Sequence, residues 1–386
     1  MKNLIMKKAI LIFIIFISIF SVACGHTHSY TTSTISPTNT QNGCIKHTCS
    51  CGDNYETDIT CLITFESVCS NSLISNIPQV DPIIVKQNTI FQGVQNRENF
   101  TVISYTGLSI GEKVKNSTVV TIIWKEKTQA EIRLLEVTEK INKLYELSYN
   151  YNSNKALLYT AQFLRTAKYS DGMWNIMCGS LPSDFIEYIT INQGNFNVVA
   201  LREIETLTSP KTNENIDFIH LFAVINSIIN TNDINSNASD IAGWVGDLST
   251  LVQEVVISGV SGNNIKEIAN QKFNSESSSF SNLDLLADID AVNIMNIYYN
   301  STNQTFADVI KNYYLNTTVN MRKNMFLNNI FGKTYTSASI MTNDILERIE
   351  NNTLTLYFFK SLNINLTTHS EQFLACATAF SNYFVN

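Results

Sequence analysis

The chain has 386 residues, of which 44% are hydrophobic and 15% charged, and its formal net charge is −7. This length is enough for one large domain or two of ordinary size, and the composition excludes general disorder and collagen-like repeats. The negative charge argues against nucleic acid and anionic membrane surfaces as partners.

Residues 1–23 have the pattern of a secretion signal. Three lysines precede an apolar run from Ala9 to Phe20 that only Ser18 interrupts, and Ala23 lies where a signal peptidase recognises a small residue. The run is too short to cross a bilayer comfortably. We therefore expect a secreted, extracellular protein that begins at Cys24. The alternative is a lipid anchor on Cys24, with the membrane as a partner only in that case, although Ser21 stands where bacterial lipoproteins carry Leu.

Six of the eight cysteines lie between positions 24 and 69, in a stretch rich in Ser, Thr, Asn and Gly. In an exported chain this pattern favours disulfides, so we predict a Cys-rich, disulfide-stapled module over residues 24–80. Cys49 and Cys51 beside His47 could suggest a metal site. Their spacing is not the two-residue gap of zinc knuckles, and we expect neither a metal nor a cofactor.

The other two cysteines, Cys178 and Cys376, are predicted to form a disulfide with each other. Cys178 precedes His220 and Asp240 in the order found in several cysteine peptidases, but no family signature surrounds it. Eight glycosylation sequons occur, about the number that chance gives in this Asn-rich chain. In a eukaryotic host, those in predicted loops would make the protein a glycoprotein.

A short β hairpin or sheet is predicted over residues 81–125, where β-branched and aromatic residues cluster at 102–105 and 119–124. From residue 126 to 386 the apolar spacing becomes helical, which predicts a helical domain. Beyond a first helix from about 128, helices are predicted at 154–168, 183–190, 215–229, 240–257, 262–272, 282–298, 304–314, 317–331, 338–350 and 368–384. The predicted fold class is mainly α, a multi-helix globular domain with a small β element and the Cys-rich module.

Two glycines interrupt the helix predicted at 240–257. Gly243 and Gly246 lie in its first turns, each at a cost of about 1 kcal/mol relative to Ala. One interpretation is close helix packing, with Asp240 as N-cap and Trp244 in the core. The other is a ligand site at which Gly243, Trp244 and Gly246 let a ligand approach the backbone beside Asp247.

His220 and several aspartates are the candidate catalytic residues. His220 lies in a helix that is apolar nearly all round, and Asp217, one turn earlier, could bind its ring. In the stretch 283–292, Asp284 and Asp288 share a face that we expect to be solvated, whereas Asp290 falls on the apolar stripe. EF-hand spacing is missing there.

No catalytic or nucleotide-binding motif is present, so the function stays open between two classes. The first is a surface or extracellular binding protein that recognises a protein or glycan. The second is a hydrolase of extracellular polymer, glycan or peptide, that uses His220, Asp247 and Asp290 for acid–base chemistry. The hydrolase interpretation depends on whether these three side chains line one polar pocket. We predict that they do, because isolated buried charges are costly in free energy.

Overall fold

The computed structural model describes residues 27–165, 179–232, 243–274, 282–358 and 362–385. About half of the chain is helical, and a six-stranded mixed sheet occupies its N-terminal part. The chain divides into two compact units at the peptide bond between Lys127 and Thr128. We call the part before this bond the sheet unit and the part after it the helical unit.

The sheet unit is built from six strands. They are β1 (Tyr30–Ile35), β2 (Gly43–Cys49), β3 (Asn54–Cys69), β4 (Ile83–Lys86), β5 (Phe100–Thr106) and β6 (Thr118–Glu126). The strand order is β1-β2-β3-β6-β5, with β4 paired to β3. Only the β3–β6 pair is parallel.

The long strand β3 organises this sheet. Thr60 pairs with both β2 and β4, and Ile63 pairs with both β4 and β6. Since a residue has one neighbour at each edge of its strand, β2 and β6 share one edge of β3 and β4 lies on the other. The Ser117 backbone N–H donates to Asn42 Oδ1 at 2.7 Å, which ties the start of β6 to the start of β2.

The core of the sheet unit follows the two-residue period of its strands. Cys61, Ile63 and Phe65 are buried on one face of β3, and Trp124 on β6 is fully buried with them. The Trp124 indole N–H donates to Ser67 Oγ at 3.1 Å, so its polar atom is satisfied inside the core. Apolar burial therefore holds this unit together.

The predicted fold class is wrong in two respects. First, no disulfide joins the cysteines that the structure describes, which are Cys44, Cys49, Cys51, Cys61, Cys69 and Cys376. Second, the predicted small β element is a six-stranded mixed sheet, because described strands before and after residue 80 pair with each other, so the protein is not mainly α. The alternation along β3 buries its thiols as small apolar side chains.

The signal peptide, Cys24 and Cys178 lie outside the described residues, so the structure gives export no support. Cys376 is a fully buried thiol whose pKa is raised by burial. Because Cys376 is a free thiol and Cys178 lies outside the described residues, the predicted Cys178–Cys376 disulfide has no support from the structure.

The helical unit contains eleven α-helices among the described residues. They are α1 (Gln129–Tyr151), α2 (Ala156–Leu164), α3 (Phe185–Asn192), α4 (Phe218–Thr231), α5 (Trp244–Ile257), α6 (Asn264–Phe273), α7 (Asn282–Asn300), α8 (Phe306–Asn316), α9 (Val319–Phe331), α10 (Ala338–Glu350) and α11 (Ser370–Val385). A two-stranded ribbon, β7 (Thr206–Thr208) with β8 (Asn215–Asp217), precedes α4.

Local sequence explains where several helices begin. Thr128 and Glu131 form a capping box at the start of α1, and Thr305, Thr318 and Ser337 cap α8, α9 and α10. The apolar faces of the helices pack into a single large core. Among the described residues, no helix combines the length and the apolar character needed to span a membrane.

Candidate metal site

His220 is held at the first turn of α4 by a helix cap. Asp217 precedes the helix, and its Oδ1 accepts the backbone N–H of His220 at 2.8 Å. The prediction that Asp217 binds the imidazole ring is thus replaced by a capping role. The cap fixes the start of α4, and only 7% of His220 is exposed.

Helix α7 brings two carboxylates to the imidazole of His220. Asp288 Oδ1 lies 3.0 Å from Nε2 and Asp284 Oδ1 lies 3.8 Å from Nδ1, so the ring lies against both aspartates. Residues four apart share a helix face, which explains why both reach the same ring. The expectation of a solvated pair is wrong for Asp288, which is fully buried, whereas Asp284 is partly exposed.

Asp247 on α5 completes the cluster. One ligand atom each from His220, Asp247 and Asp288 lies within 4.8 Å of the other two, and all three residues are buried. Burial raises the pKa of Asp247 well above its ordinary value, and the charge of Asp288 adds to this, while His220 opposes it. Asp247 Oδ2 is buried and accepts no hydrogen bond from any residue that the structure describes.

The cluster therefore gathers several carboxyls around one imidazole. Asp284 and Asp288 lie against His220, and a carboxyl oxygen of Asp247 lies within 4.8 Å of ligand atoms of His220 and Asp288. A buried carboxylate must be paired, protonated or bound to a cation. A proton shared between Asp247 and Asp288, or a bound cation, would meet this requirement.

Asp290 belongs to a different buried cluster, although it lies on the same helix as Asp288. Its Oδ1 accepts the Tyr313 hydroxyl at 2.6 Å, and its Oδ2 lies 3.3 Å from Arg322 Nη1. Burial raises the pKa of Asp290 to about 6, against the opposing effect of Arg322. The three predicted catalytic residues are thus divided: His220 and Asp247 lie together with Asp288, and Asp290 pairs with an arginine.

The arginine cluster is well supplied with partners. Arg322 is fully buried, donates to Ser209 Oγ at 2.7 Å and to Thr317 Oγ1 at 3.3 Å, and lies 5.0 Å from the centroid of the Tyr314 ring. Glu214 Oε2 is a second carboxylate oxygen, 3.8 Å from Arg322 Nη1. The guanidinium thus has two carboxylates and several hydroxyl acceptors beside it, whereas the Tyr314 hydroxyl and Glu214 Oε2 are buried without a hydrogen bond to the described residues.

The predicted ligand-binding residues lie just before Asp247 in the sequence. Trp244 is the first residue of α5 and packs 5.6–6.1 Å, between ring centroids, from Phe326, Phe331 and Phe380. Gly243 is the N-cap residue, outside the helix, and Gly246 lies in its first turn. Both glycines are buried, and Asp240 lies outside the described residues. The aromatic packing of Trp244 matches the core interpretation.

Asp288 is the residue that sequence reasoning missed. The apolar stripe was assigned to the face of Asp290, but α7 is buried nearly all round between residues 285 and 295. The signal was available, because apolar residues occupy most positions of this segment and leave no solvated face for Asp288. Four cavities among the described residues are lined by other side chains.

A family model described as YkzU uncharacterised protein matches residues 222–386. The uncharacterised protein YkzU of Bacillus subtilis (strain 168) is 33% identical over 110 residues, which cover 28% of this chain and 63% of the relative. The match thus spans less than two thirds of that relative. No solved structure matches this chain. The matched range includes Asp247, Asp288 and Arg322, and it begins two residues after His220.

Proposed function

We propose that the chain is a divalent-cation-binding protein and that its helical unit binds the cation through His220, Asp247 and Asp288. The observation that carries this proposal is the convergence of one ligand atom from each residue to within 4.8 Å of the others. Metal-to-ligand distances for imidazole nitrogen and carboxylate oxygen are about 2.0–2.2 Å. Two ligands of one ion thus lie no more than about 4.4 Å apart, so small side-chain movements suffice.

The ligand set selects the class of cation. One imidazole with two carboxylates suits Mn²⁺, Fe²⁺ or Zn²⁺ and lacks the thiolates that softer ions prefer. The partly exposed Asp284 lies beside the same ring and supplies a further carboxylate oxygen. Binding releases any proton that Asp247 and Asp288 share, because the cation takes the place of the proton between them.

The other functional expectations stay predictions. They are the extracellular location, a protein or glycan partner, and the hydrolase alternative. A hydrolase that uses Asp290 as its second catalytic carboxylate, beside Asp247, has less support, because Asp290 pairs with Arg322. Metal binding favours the binding-protein class.

The test is metal-dependent stabilisation of the full chain. Metal-free protein is titrated with Mn²⁺, and the melting temperature is compared with that of the metal-free sample. A ligand at 100 times its Kd stabilises a folded protein by about 2.7 kcal/mol. We expect a clear rise for the unmodified chain and none for Asp247→Asn or Asp288→Asn.

Asp290→Asn is the matched control, since Asp290 is as buried as Asp288 and lies on the same helix. Its metal-free melting temperature will fall, but the rise caused by Mn²⁺ should persist. If Mn²⁺, Zn²⁺ and Fe²⁺ all leave the unmodified chain unchanged, or if Asp247→Asn keeps the full rise, the proposal is wrong.

A further inference from the structure

The loop between β2 and β3 places two cysteines at one end of the sheet unit. The Cys49 backbone N–H donates to the Asp53 carbonyl at 2.8 Å, and the Gly52 N–H donates to the Cys49 carbonyl at 3.0 Å. Gly52 has φ +95°, a conformation that a residue with a side chain rarely adopts. The turn therefore fixes Cys49 and Cys51 on a short, closed loop.

The register of β1 brings a histidine to the same loop. Tyr30 pairs with Cys49, so the residues just before β1 run past the turn. His28 Nδ1 lies 3.3 Å from Cys51 Sγ and 3.6 Å from Asp53 Oδ2. One ligand atom each from His28, Cys49 and Cys51 lies within 4.8 Å of the other two.

The neighbouring side chains hold this histidine in place. The His28 ring stacks on Tyr30 with 5.7 Å between centroids, and Tyr30 packs edge-on against Tyr55 at 4.9 Å. The Tyr30 hydroxyl donates to Asp53 Oδ2, the carboxylate beside His28. Such contacts orient a ligand ring and a neighbouring carboxylate before any ion arrives.

We propose that His28, Cys49 and Cys51 form a second metal site, selective for Zn²⁺, with Asp53 or water as the fourth ligand. Two thiolates and an imidazole are typical tetrahedral zinc ligands. Each cysteine releases a proton to solvent as it binds, so the two thiolates neutralise the ion and no electron is transferred. The expectation of no metal rested on the spacing and on the oxidising conditions of export, which disfavour free thiolates, whereas here the turn and the strand register bring the ligands together.

This site differs chemically from the one in the helical unit, and it does not depend on it. Its ligands include thiolates, whereas His220, Asp247 and Asp288 offer only nitrogen and oxygen. Co²⁺ replaces Zn²⁺ in tetrahedral sites and gives a thiolate-to-cobalt charge-transfer band only where thiolates bind it. That band therefore distinguishes this site from the one formed by His220, Asp247 and Asp288.

The experiment titrates the full, reduced chain with Co²⁺ without oxygen and then adds Zn²⁺. We expect a charge-transfer band that saturates at one Co²⁺ per chain and disappears when Zn²⁺ displaces it. Cys51→Ser and His28→Ala should weaken Co²⁺ binding at this site at least tenfold. Cys44→Ser is the matched control, because it removes another β2 thiol outside the ligand cluster and should keep the band.

Three outcomes would overturn the proposal. One is the absence of the band in the reduced chain, and another is a band that survives Cys51→Ser unchanged. The third is a Cys49–Cys51 disulfide that forms under mild oxidation even when Zn²⁺ is in excess. Loss of Mn²⁺ stabilisation in the helical unit would leave this result unaffected, so the two proposals fail separately.

Discussion

The two buried polar clusters of the helical unit share helix α7 but differ in the side chain that faces their carboxyls, which is a guanidinium in one and an imidazole in the other. In one, Asp290 pairs with Arg322 and accepts a hydrogen bond from the Tyr313 hydroxyl. In the other, Asp247 and Asp288 lie close to His220, and Asp247 Oδ2 accepts no hydrogen bond from the described residues. Equal burial thus does not mean equal surroundings, because Asp290 lies beside a guanidinium, whereas Asp247 and Asp288 lie beside an imidazole that can share a metal ion with them.

The largest expected effect is the loss of the guanidinium of the arginine cluster. Arg322→Met leaves the Asp290 carboxylate buried without its cation, so the free energy of unfolding should fall by about 3–5 kcal/mol in chemical denaturation. Arg133→Met is the matched control, because Arg133 Nη1 also lies 3.3 Å from a carboxylate oxygen, that of Glu136, but at the surface. We expect a change of no more than about 1 kcal/mol there.

The same substitution in the two clusters should act differently in metal-free protein. Asp290→Asn loses a charge-assisted bond to Arg322 and should lower the free energy of unfolding by about 1.5–3 kcal/mol. Asp247→Asn removes one of the three carboxyls that lie around the His220 imidazole. The free energy of unfolding should therefore change by no more than about 1 kcal/mol, or rise. Urea denaturation measures the free energy of unfolding of both variants. Equal losses at the two positions would show that the two carboxyls contribute equally to stability and that the clusters do not differ in this respect.

A smaller effect distinguishes the capping role of Asp217 from a role in the proposed metal site. Asp217→Ala removes the side chain that accepts the His220 backbone N–H, so the protein should lose about 1 kcal/mol of stability, as for other N-caps. The Mn²⁺ affinity should change little, because Asp217 does not touch the imidazole. A loss of affinity larger than tenfold would indicate that Asp217 orients the ring after all.

Much of the secondary structure was determined by local sequence. The apolar spacing predicted helices close to α8, α9 and α10, where Thr305, Thr318 and Ser337 supply N-caps. These signals are local, because a cap and a helical stripe involve residues only a few positions apart. For the same reason, the alternation in β3 was readable, although the cysteines within it suggested a disulfide module instead.

What only the tertiary structure decided is which polar side chains meet. His220, Asp247 and Asp288 come from three helices that are distant in sequence, and no local pattern says which face of α7 lies against α4. The separation of Asp288 from Asp290 depends on that packing, although only two positions divide them. Likewise, the register of β1 against β2 brings His28 to Cys51. Local propensity fixes where an element begins and ends, but the pairing of distant side chains follows from burying the apolar faces of all elements at once.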